Sequence, residues 1–194
     1  IAERNGVEMY DVYTGFKWIA NVMRENEGKK NYIGGGEESY GFLCEDFVRD
    51  KDAVSACVIL AEIAAWAKDQ GLSLYQLLQK IYVEYGFSKE KGISVVKKGK
   101  SGAEEIEAMM KKFRENPLTE IAGSKVTYFY DYSTLKGKDY AENETVTLDM
   151  PTTSNVLQYF TEDNTKVSIR PSGTEPKIKF YCEVHSKVKS IDEL

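Results

Sequence analysis

Near residue 88 the spacing of apolar side chains changes from the period of a helix to the period of a strand. Upstream, Leu74, Leu77, Leu78, Ile81, Tyr82 and Tyr85 recur at helical intervals, which lines one face of an α-helix. Downstream, Ile178, Phe180, Cys182 and Val184 alternate with polar or aromatic neighbours, which places them on one side of a strand. A chain written in two periods needs two kinds of layer. Its 194 residues suffice for one large domain or two smaller ones. The change of pattern across residues 87–92 selects two, a first domain over residues 1–88 and a second over 89–194.

In the first domain, Thr14 is placed to cap a helix over residues 15–26, with Phe16, Ile19, Ala20 and Met23 on one face. Tyr32 and Ile33 are expected as a short strand leading into Gly34, Gly35 and Gly36. Ligand loops at the carboxyl ends of strands are the usual arrangement in open α/β sheets. Residues 53–67 form the most apolar run, interrupted by Ser55 and Glu62. It is too short to span a bilayer and is expected as a core helix. Ser73 with Gln76 forms a capping box ahead of the next helix, which Gly86 closes.

In the second domain, residues 93–96 read as a strand, and Ser101 with Glu104 as a second capping box. Ile106, Met109, Met110 and Phe113 give the helix that follows an apolar face, and Asn116-Pro117 ends it. Strands are expected at residues 125–132, 155–160, 166–169 and 177–184. In the first of these, Val126, Tyr128, Tyr130 and Tyr132 would share one side. The predicted fold class is therefore an α/β domain followed by a smaller α+β domain, whose mainly antiparallel sheet packs on helices.

The net charge is −5, and the acidic surplus falls within the first 88 residues while the remainder is balanced. That distribution argues against nucleic-acid binding and against an anionic membrane surface. Cys44, Cys57 and Cys182 are widely spaced and odd in number, and are read as buried thiols in a cytosolic protein rather than a disulfide framework. The single histidine, His185, is read as a strand-end residue.

Two short segments carry chemistry. Arg170-Pro171-Ser172-Gly173-Thr174 sits between two strand-like runs. Arginine offers a planar fork of donors to two phosphate oxygens, hydroxyls can serve a third, and a glycine lets backbone N–H groups approach. An ordinary hairpin loop with a solvated arginine is the alternative. Gly34-Gly35-Gly36-Glu37-Glu38-Ser39-Tyr40-Gly41 turns on its glycines and projects two carboxylates and a hydroxyl. Such groups can accept hydrogen bonds from sugar hydroxyls, bind a metal, or act as acid and base.

Together these segments resemble the alpha-D-phosphohexomutase family, the phosphoglucomutases and phosphomannomutases. Gly36-Glu37-Glu38-Ser39 looks like the family's G-E-x-S sugar loop of the third domain. Arg170 to Thr174 looks like its R-x-S-x-T phosphate loop of the fourth. Thr14-Gly15-Phe16-Lys17 and Arg49-Asp50-Lys51-Asp52 look like its T-G-x-K and D-K-D stretches. The four segments occur in family order over nearly the whole chain. The family's phosphoserine loop and its D-G-D-x-D-R magnesium loop have no counterpart here. The chain opens on Ile1 and closes on Leu194, and is expected to be the C-terminal portion of a longer enzyme.

The resemblance implies reversible phosphoryl transfer between the C1 and C6 oxygens of a hexose phosphate. A phosphoserine would supply the phosphoryl group, and a glucose 1,6-bisphosphate-type intermediate would form. It implies that Arg170, Ser172, Gly173 and Thr174 hold the non-reacting phosphate, and that Glu37 and Ser39 hold sugar hydroxyls. Lys51 would stabilise charge or move a proton at the reacting oxygen, with Thr14, Gly15, Lys17 and Arg49 nearby as substrate-binding residues. Glu38 receives no role. Magnesium would belong to the full-length enzyme, with its ligands outside this chain. The partners would be a hexose phosphate and the enzyme's own N-terminal domains, with no nucleic acid and no membrane. Tyr40-Gly41 after Ser39, where phosphomannomutase-type relatives carry Gly-His, leans toward a glucose phosphate or a pentose phosphate. The chain alone is expected to be inactive. A stand-alone, non-catalytic sugar-phosphate binding module is the competing reading.

Overall fold

A computed structural model describes every residue except Thr174. The chain divides into two compact units, Ile1–Tyr85 and Gly86–Leu194. The class is the expected one, an α/β-type unit followed by an α+β unit with a mainly antiparallel sheet.

The first unit contains helix α1 (Phe16–Glu25), strands β1 (Gly34–Gly36) and β2 (Phe42–Cys44), and helices α2 (Ala53–Asp69) and α3 (Leu74–Tyr85). Its small core joins Phe16 and Met23 of α1 to Leu43 of β2, with Ile19 and Tyr32 packed against them. The apolar face expected on α1 is thus the buried one. The cap is different. Gly15 is the N-cap at φ 118° and no side chain caps the helix, so Thr14 lies outside it. The strand also shifts, because the three glycines themselves pair with residues 42–44, and Tyr32 and Ile33 precede the ribbon. Glycine is weak in strands, but a Cβ on Gly35 would sit 2.6 Å from the Tyr32 hydroxyl and 3.0 Å from Ile19. The bare backbone lets the ribbon lie flat on that small core.

Helix α2 departs from its expected place in a core. It is apolar around its circumference, yet Ala67 is its only buried residue and Val54, Val58, Leu60 and Trp66 are exposed. Within the unit it has β2 and α3 as neighbours, and two neighbours cover only part of a helical surface. The capping box at the start of α3 forms as read. The Gln76 backbone N–H donates to the Ser73 hydroxyl at 3.2 Å, and the Ser73 N–H donates back to the Gln76 side chain at 2.8 Å.

The second unit opens with β3 (Phe87–Val96) and α4 (Gly99–Glu115), followed by β4 (Glu120–Ile121), β5 (Ser124–Asp131), β6 (Lys136–Asp139) and β7 (Glu144–Thr147). It finishes with β8 (Leu157–Thr161), β9 (Lys166–Pro171) and β10 (Lys177–Ser186). The sheet order is β3-β10-β9-β8-β5-β6-β7, antiparallel throughout, with β4 paired to β5. Ile106 and Met110 of α4 bury against Val126, Leu157, Tyr159, Val167, Ile169 and Ile178. The expected face of α4 packs, and so do Ile178, Phe180 and Cys182 of β10, but Val184 near the strand's end is exposed. The cysteines are not buried as expected, since Cys44 and Cys182 are half-buried and Cys57 is exposed. His185 is the penultimate residue of β10 and pairs with Glu183 at 2.9 Å.

Two expectations fail here for identifiable reasons. Strand β5 does not keep Val126, Tyr128 and Tyr130 on one side, because the register shifts between Val126 and Tyr128. The extra residue is Thr127, and beyond such a bulge the alternation reverses. Val126 and Phe129 therefore face α4, while Tyr130 packs against Phe160 on the other side with ring centroids 5.1 Å apart. Helix α4 starts at Gly99 without a side-chain cap, and Ser101 lies inside it. Its entry is set instead by the Lys97 N–H, which donates to the Pro176 carbonyl at 2.8 Å. Lys97 then crosses the first turn so closely that a Cβ on Gly102 would lie 2.6 Å from its carbonyl carbon and oxygen.

Gly102→Ala should therefore strain backbone against backbone and destabilise the chain by about 1–3 kcal/mol, measured by urea unfolding. A second expected outcome concerns Tyr159, which is fully buried and whose hydroxyl donates to the Phe113 carbonyl at 3.0 Å. Burial pushes its pKa up to about 12. A raised tyrosine pKa means that the folded state holds the proton more tightly. Its contribution is fully present below the unfolded value near 10 and is lost as pH climbs from there through about 12. Tyr159→Phe should flatten that alkaline slope while costing about 1–2 kcal/mol at neutral pH, since the Phe113 carbonyl loses its donor.

Candidate functional site

In the first unit the turn between β1 and β2 is short and closed by its own backbone. The Glu37 N–H donates to the Gly41 carbonyl at 2.7 Å, and the Tyr40 N–H to the Glu37 carbonyl at 3.1 Å. Tyr40 takes a left-handed φ of 70° and is 97% exposed at the tip. The closed turn leaves the Glu37, Glu38 and Ser39 side chains available to a ligand. Glu37 and Glu38 line a cleft of about 160 Å³ with Gly36, Val12, Tyr13, Thr14, Gly15 and Ile19. That is smaller than the roughly 300–1,000 Å³ that encloses a small ligand. Two carboxylates, a threonine hydroxyl and the Ile19 side chain share this cleft, so hydrogen-bonding groups stand beside an apolar wall. Burial raises the Tyr13 pKa, so that hydroxyl stays neutral.

Lys51 reaches the same turn from the other side. Where a Cβ on Gly41 would stand, the structure puts the Glu37 carboxylate and the Lys51 Cδ. Glycine at 41 is thus what lets a carboxylate and an ammonium-bearing chain approach over one backbone atom. The segment is pinned there because the Asp52 N–H donates to the Phe42 carbonyl at 2.9 Å. Asp52 also caps α2, accepting from the Ser55 N–H at 2.7 Å, and the Ser55 side chain together with that backbone bond holds its pKa below the ordinary carboxylate value. Asp50 accepts from the Lys51 backbone N–H at 2.8 Å and from its ammonium at 3.2 Å, and both lower its pKa.

The other candidates are less convergent. Lys17 rests its ammonium 5.1 Å from the Trp18 ring centroid. Arg49 is engaged by Glu27 at 3.1 Å and donates to the Asp46 carbonyl at 3.4 Å. Neither lines the cleft, nor does Ser39. Glu38, which the sequence left without a role, does. Nothing in the linear pattern distinguishes it from Glu37, because both follow the same glycines.

In the second unit the segment after Arg170 connects β9 to β10. The Ser172 N–H donates to the Lys177 carbonyl at 2.8 Å, and the Glu175 N–H to the Ser172 hydroxyl at 3.3 Å. Glu175 pairs with Lys177 at 2.5 Å, and that bond lowers the Glu175 pKa. Thr174 lies outside the described residues. Pro171, Ser172 and Gly173 line a cleft of about 720 Å³ together with Ile106, Met110, Lys111, Arg114 and Asn155. The sequence did not single out Arg114. Its Nε donates to Asp131 at 3.0 Å and its Nη2 to Asn155 at 2.5 Å. An arginine in the last turn of an amphipathic helix gives no signal of this, because its partners lie 17 and 41 residues away. Arg170 itself is on β9 and does not line that cleft. Among the described residues no group of three or more His, Cys, Asp or Glu could hold a metal ion. No helix among them is long and apolar enough to cross a membrane.

Gly41→Ala tests the crossing of Glu37 and Lys51. The obstructing atoms belong to flexible side chains, so unfolding free energy should change by less than about 1 kcal/mol. Nuclear magnetic resonance of the Glu37 and Lys51 side chains should show both displaced.

Residues 1–85 match the family described as phosphoglucomutase/phosphomannomutase, alpha/beta/alpha domain III, and residues 93–193 match its C-terminal domain. The chain is 37% identical over 185 residues to a phosphoglucomutase of Staphylococcus haemolyticus, covering 95% of this chain and 33% of that protein. It is 40% identical over 184 residues to a phosphoglucomutase of Staphylococcus aureus (strain MRSA252), again covering 95% of this chain and 33% of the relative. It thus spans about a third of the length of these curated relatives. Parafusin, a phosphoglucomutase from Paramecium solved in an open form, aligns with a TM-score of 0.61 at 19% identity, over 97% of this chain and 31% of that one. At that identity the likeness shows the fold. With both units matched to successive domains of one family, and with two sequence relatives of the same name, the chain belongs to the phosphoglucomutase/phosphomannomutase family.

Proposed function

We propose that this chain supplies the sugar grip and the distal-phosphate grip of a mutase that interconverts hexose 1-phosphate and hexose 6-phosphate. The observation that carries this reading is the convergence of Glu37, Thr14 and Gly15 on one cleft, with Lys51 crossing over Gly41 beside it. Segments separated by more than twenty residues in sequence meet at one short turn.

In this reading Glu37 and Ser39 accept from sugar hydroxyls common to both orientations of a bisphosphorylated sugar. Arg170, Ser172, Gly173 and Thr174 hold whichever phosphate is not reacting. Lys51 stabilises charge at the reacting oxygen once a ligand competes for its ammonium, which now rests on Asp50. Thr14, Gly15, Lys17 and Arg49 complete the substrate contacts, and Arg49 would first have to leave Glu27. Phosphoryl transfer works by positioning and charge neutralisation. The phosphoserine and the magnesium ligands would come from other domains of a longer, cytoplasmic enzyme. Tyr40-Gly41 after Ser39 favours glucose phosphate over mannose phosphate, and so do the names of the curated relatives.

Calorimetric titration with glucose 1,6-bisphosphate tests the reading. Wild type is expected to bind weakly, because the two loops lie on separate compact units, and preorganisation governs affinity as much as contacts do. Arg170→Ala should weaken binding at least tenfold, the scale of a charge-assisted hydrogen-bond pair. Unchanged binding by Arg170→Ala would refute the placement of the phosphate grip. Mutase turnover by this chain alone would refute its role as a part of the machinery.

A further inference from the structure

We infer that the cleft between α4 and the β9–β10 connection binds an aliphatic carboxylate, with its chain along the helix and its headgroup at Lys111. This cleft is a different place from the proposed phosphate grip. It lies on the side of the sheet where Ile169 packs under α4, and Arg170, the next residue of β9, does not line it. Alternation along β9 turns Arg170 to the other face. The site therefore stands whether or not Arg170 holds a phosphate.

The helix sets its shape. Gly99, Ala103, Ile106, Met110 and Arg114 line the cleft at intervals of three and four residues, which makes a single stripe on one helical face. The stripe runs from the first turn of α4 to the last, roughly 22 Å at 1.5 Å per residue. Asn155, Pro171, Gly173 and Pro176 supply the facing wall. The volume of about 720 Å³ is of the size that encloses a small ligand, and its length suits an extended molecule rather than a compact one.

The lining sets the chemistry. Ala103, Ile106, Met110, Pro171 and Pro176 make its middle aliphatic, and among the described residues no aromatic ring lines it. A planar ring would find no face to stack on, whereas a methionine adapts to the contour of an alkyl chain. The charged groups give the ligand a direction. Lys177 stands opposite Val96, near the entry of α4, and is held by Glu175 at 2.5 Å. Arg114 is committed to Asp131 and Asn155. Lys111 is the loosely held cation, since it lies 3.7 Å from Glu115 and both side chains are more than half exposed. Solvent screens such a pair. Glu107, one turn earlier on the same wall, is exposed and repels an anion from the rest of the cleft. One loosely held ammonium matches one negative charge, so the headgroup is a carboxylate.

Decanoate is the probe, titrated into the chain below its micelle-forming concentration and at constant ionic strength. The methionine methyl groups are labelled with carbon-13 and followed by nuclear magnetic resonance. The Met110 signal should move saturably, while Met9 and Met23 in the first unit stay in place. Ala103→Trp puts an indole into the cleft from an exposed position and should abolish the Met110 response. Lys111→Met should raise Kd about fivefold, and Glu107→Gln should lower it about twofold. Lys111→Met tests the site by itself should the indole disturb α4. No saturable movement of Met110, or equal movement of Met9 and Met23, would overturn the site. A response that survives Ala103→Trp would overturn its placement. An unchanged Kd in Lys111→Met would overturn the assignment of the headgroup.

Discussion

The pairing of β9 with β10 governs what the second unit can do. Ile169 and Ile178 lie in neighbouring strands and are sealed beneath α4 together with Tyr159 and Met110. Each buried residue fixes the side on which its neighbour emerges. Sealing Ile169 sends Arg170 the other way, and sealing Ile178 does the same for Lys179. A slip of one residue in either strand would bury a cation and expose an isoleucine. The Lys97–Pro176 hydrogen bond then ties the loop at the end of this pairing to the entry of α4, so helix, hairpin and loop are positioned together.

The first unit relies on smallness where the second relies on register. Gly34, Gly35 and Gly36 form a strand with no side chains, which lets the ribbon sit on Ile19 and Tyr32. Gly41 does the same for the crossing of Glu37 and Lys51. Polar groups from three segments reach one short turn because the backbone there occupies little space. The cleft that results is small, with carboxylates and backbone glycine at its wall.

Much of this was legible in the linear pattern. The apolar faces of α1, α4 and β10, the capping box of α3 and the stop at Asn116-Pro117 follow from local rules that tertiary contacts do not disturb. The misreadings share a cause. Ser101 has the chemistry of a cap, but the helix begins where Lys97 is anchored by a carbonyl 79 residues away. The glycine run reads as a loop because no local rule anticipates a strand whose merit is having no side chains. The run at residues 53–67 reads as core, yet its neighbours within the unit cover only part of it. Of the candidate site, the motif residues were visible by type. The contribution of Glu38 and the ties of Arg114 to Asp131 and Asn155 were not, because they depend on distant partners.

Thr127 marks the reading frame of strand β5. Its one extra residue brings Phe129 and Asp131 to the helix side, where Asp131 meets Arg114, and sends Tyr130 to the other side. Taking Thr127 into the ladder as an ordinary paired residue would exchange the two sets all at once. Two tyrosines would turn toward the core, and the carboxylate that anchors the end of α4 would turn away from it. A strand one residue shorter, without Thr127, would keep both sets where they are, so the unit depends on the bulge only because the extra residue is there.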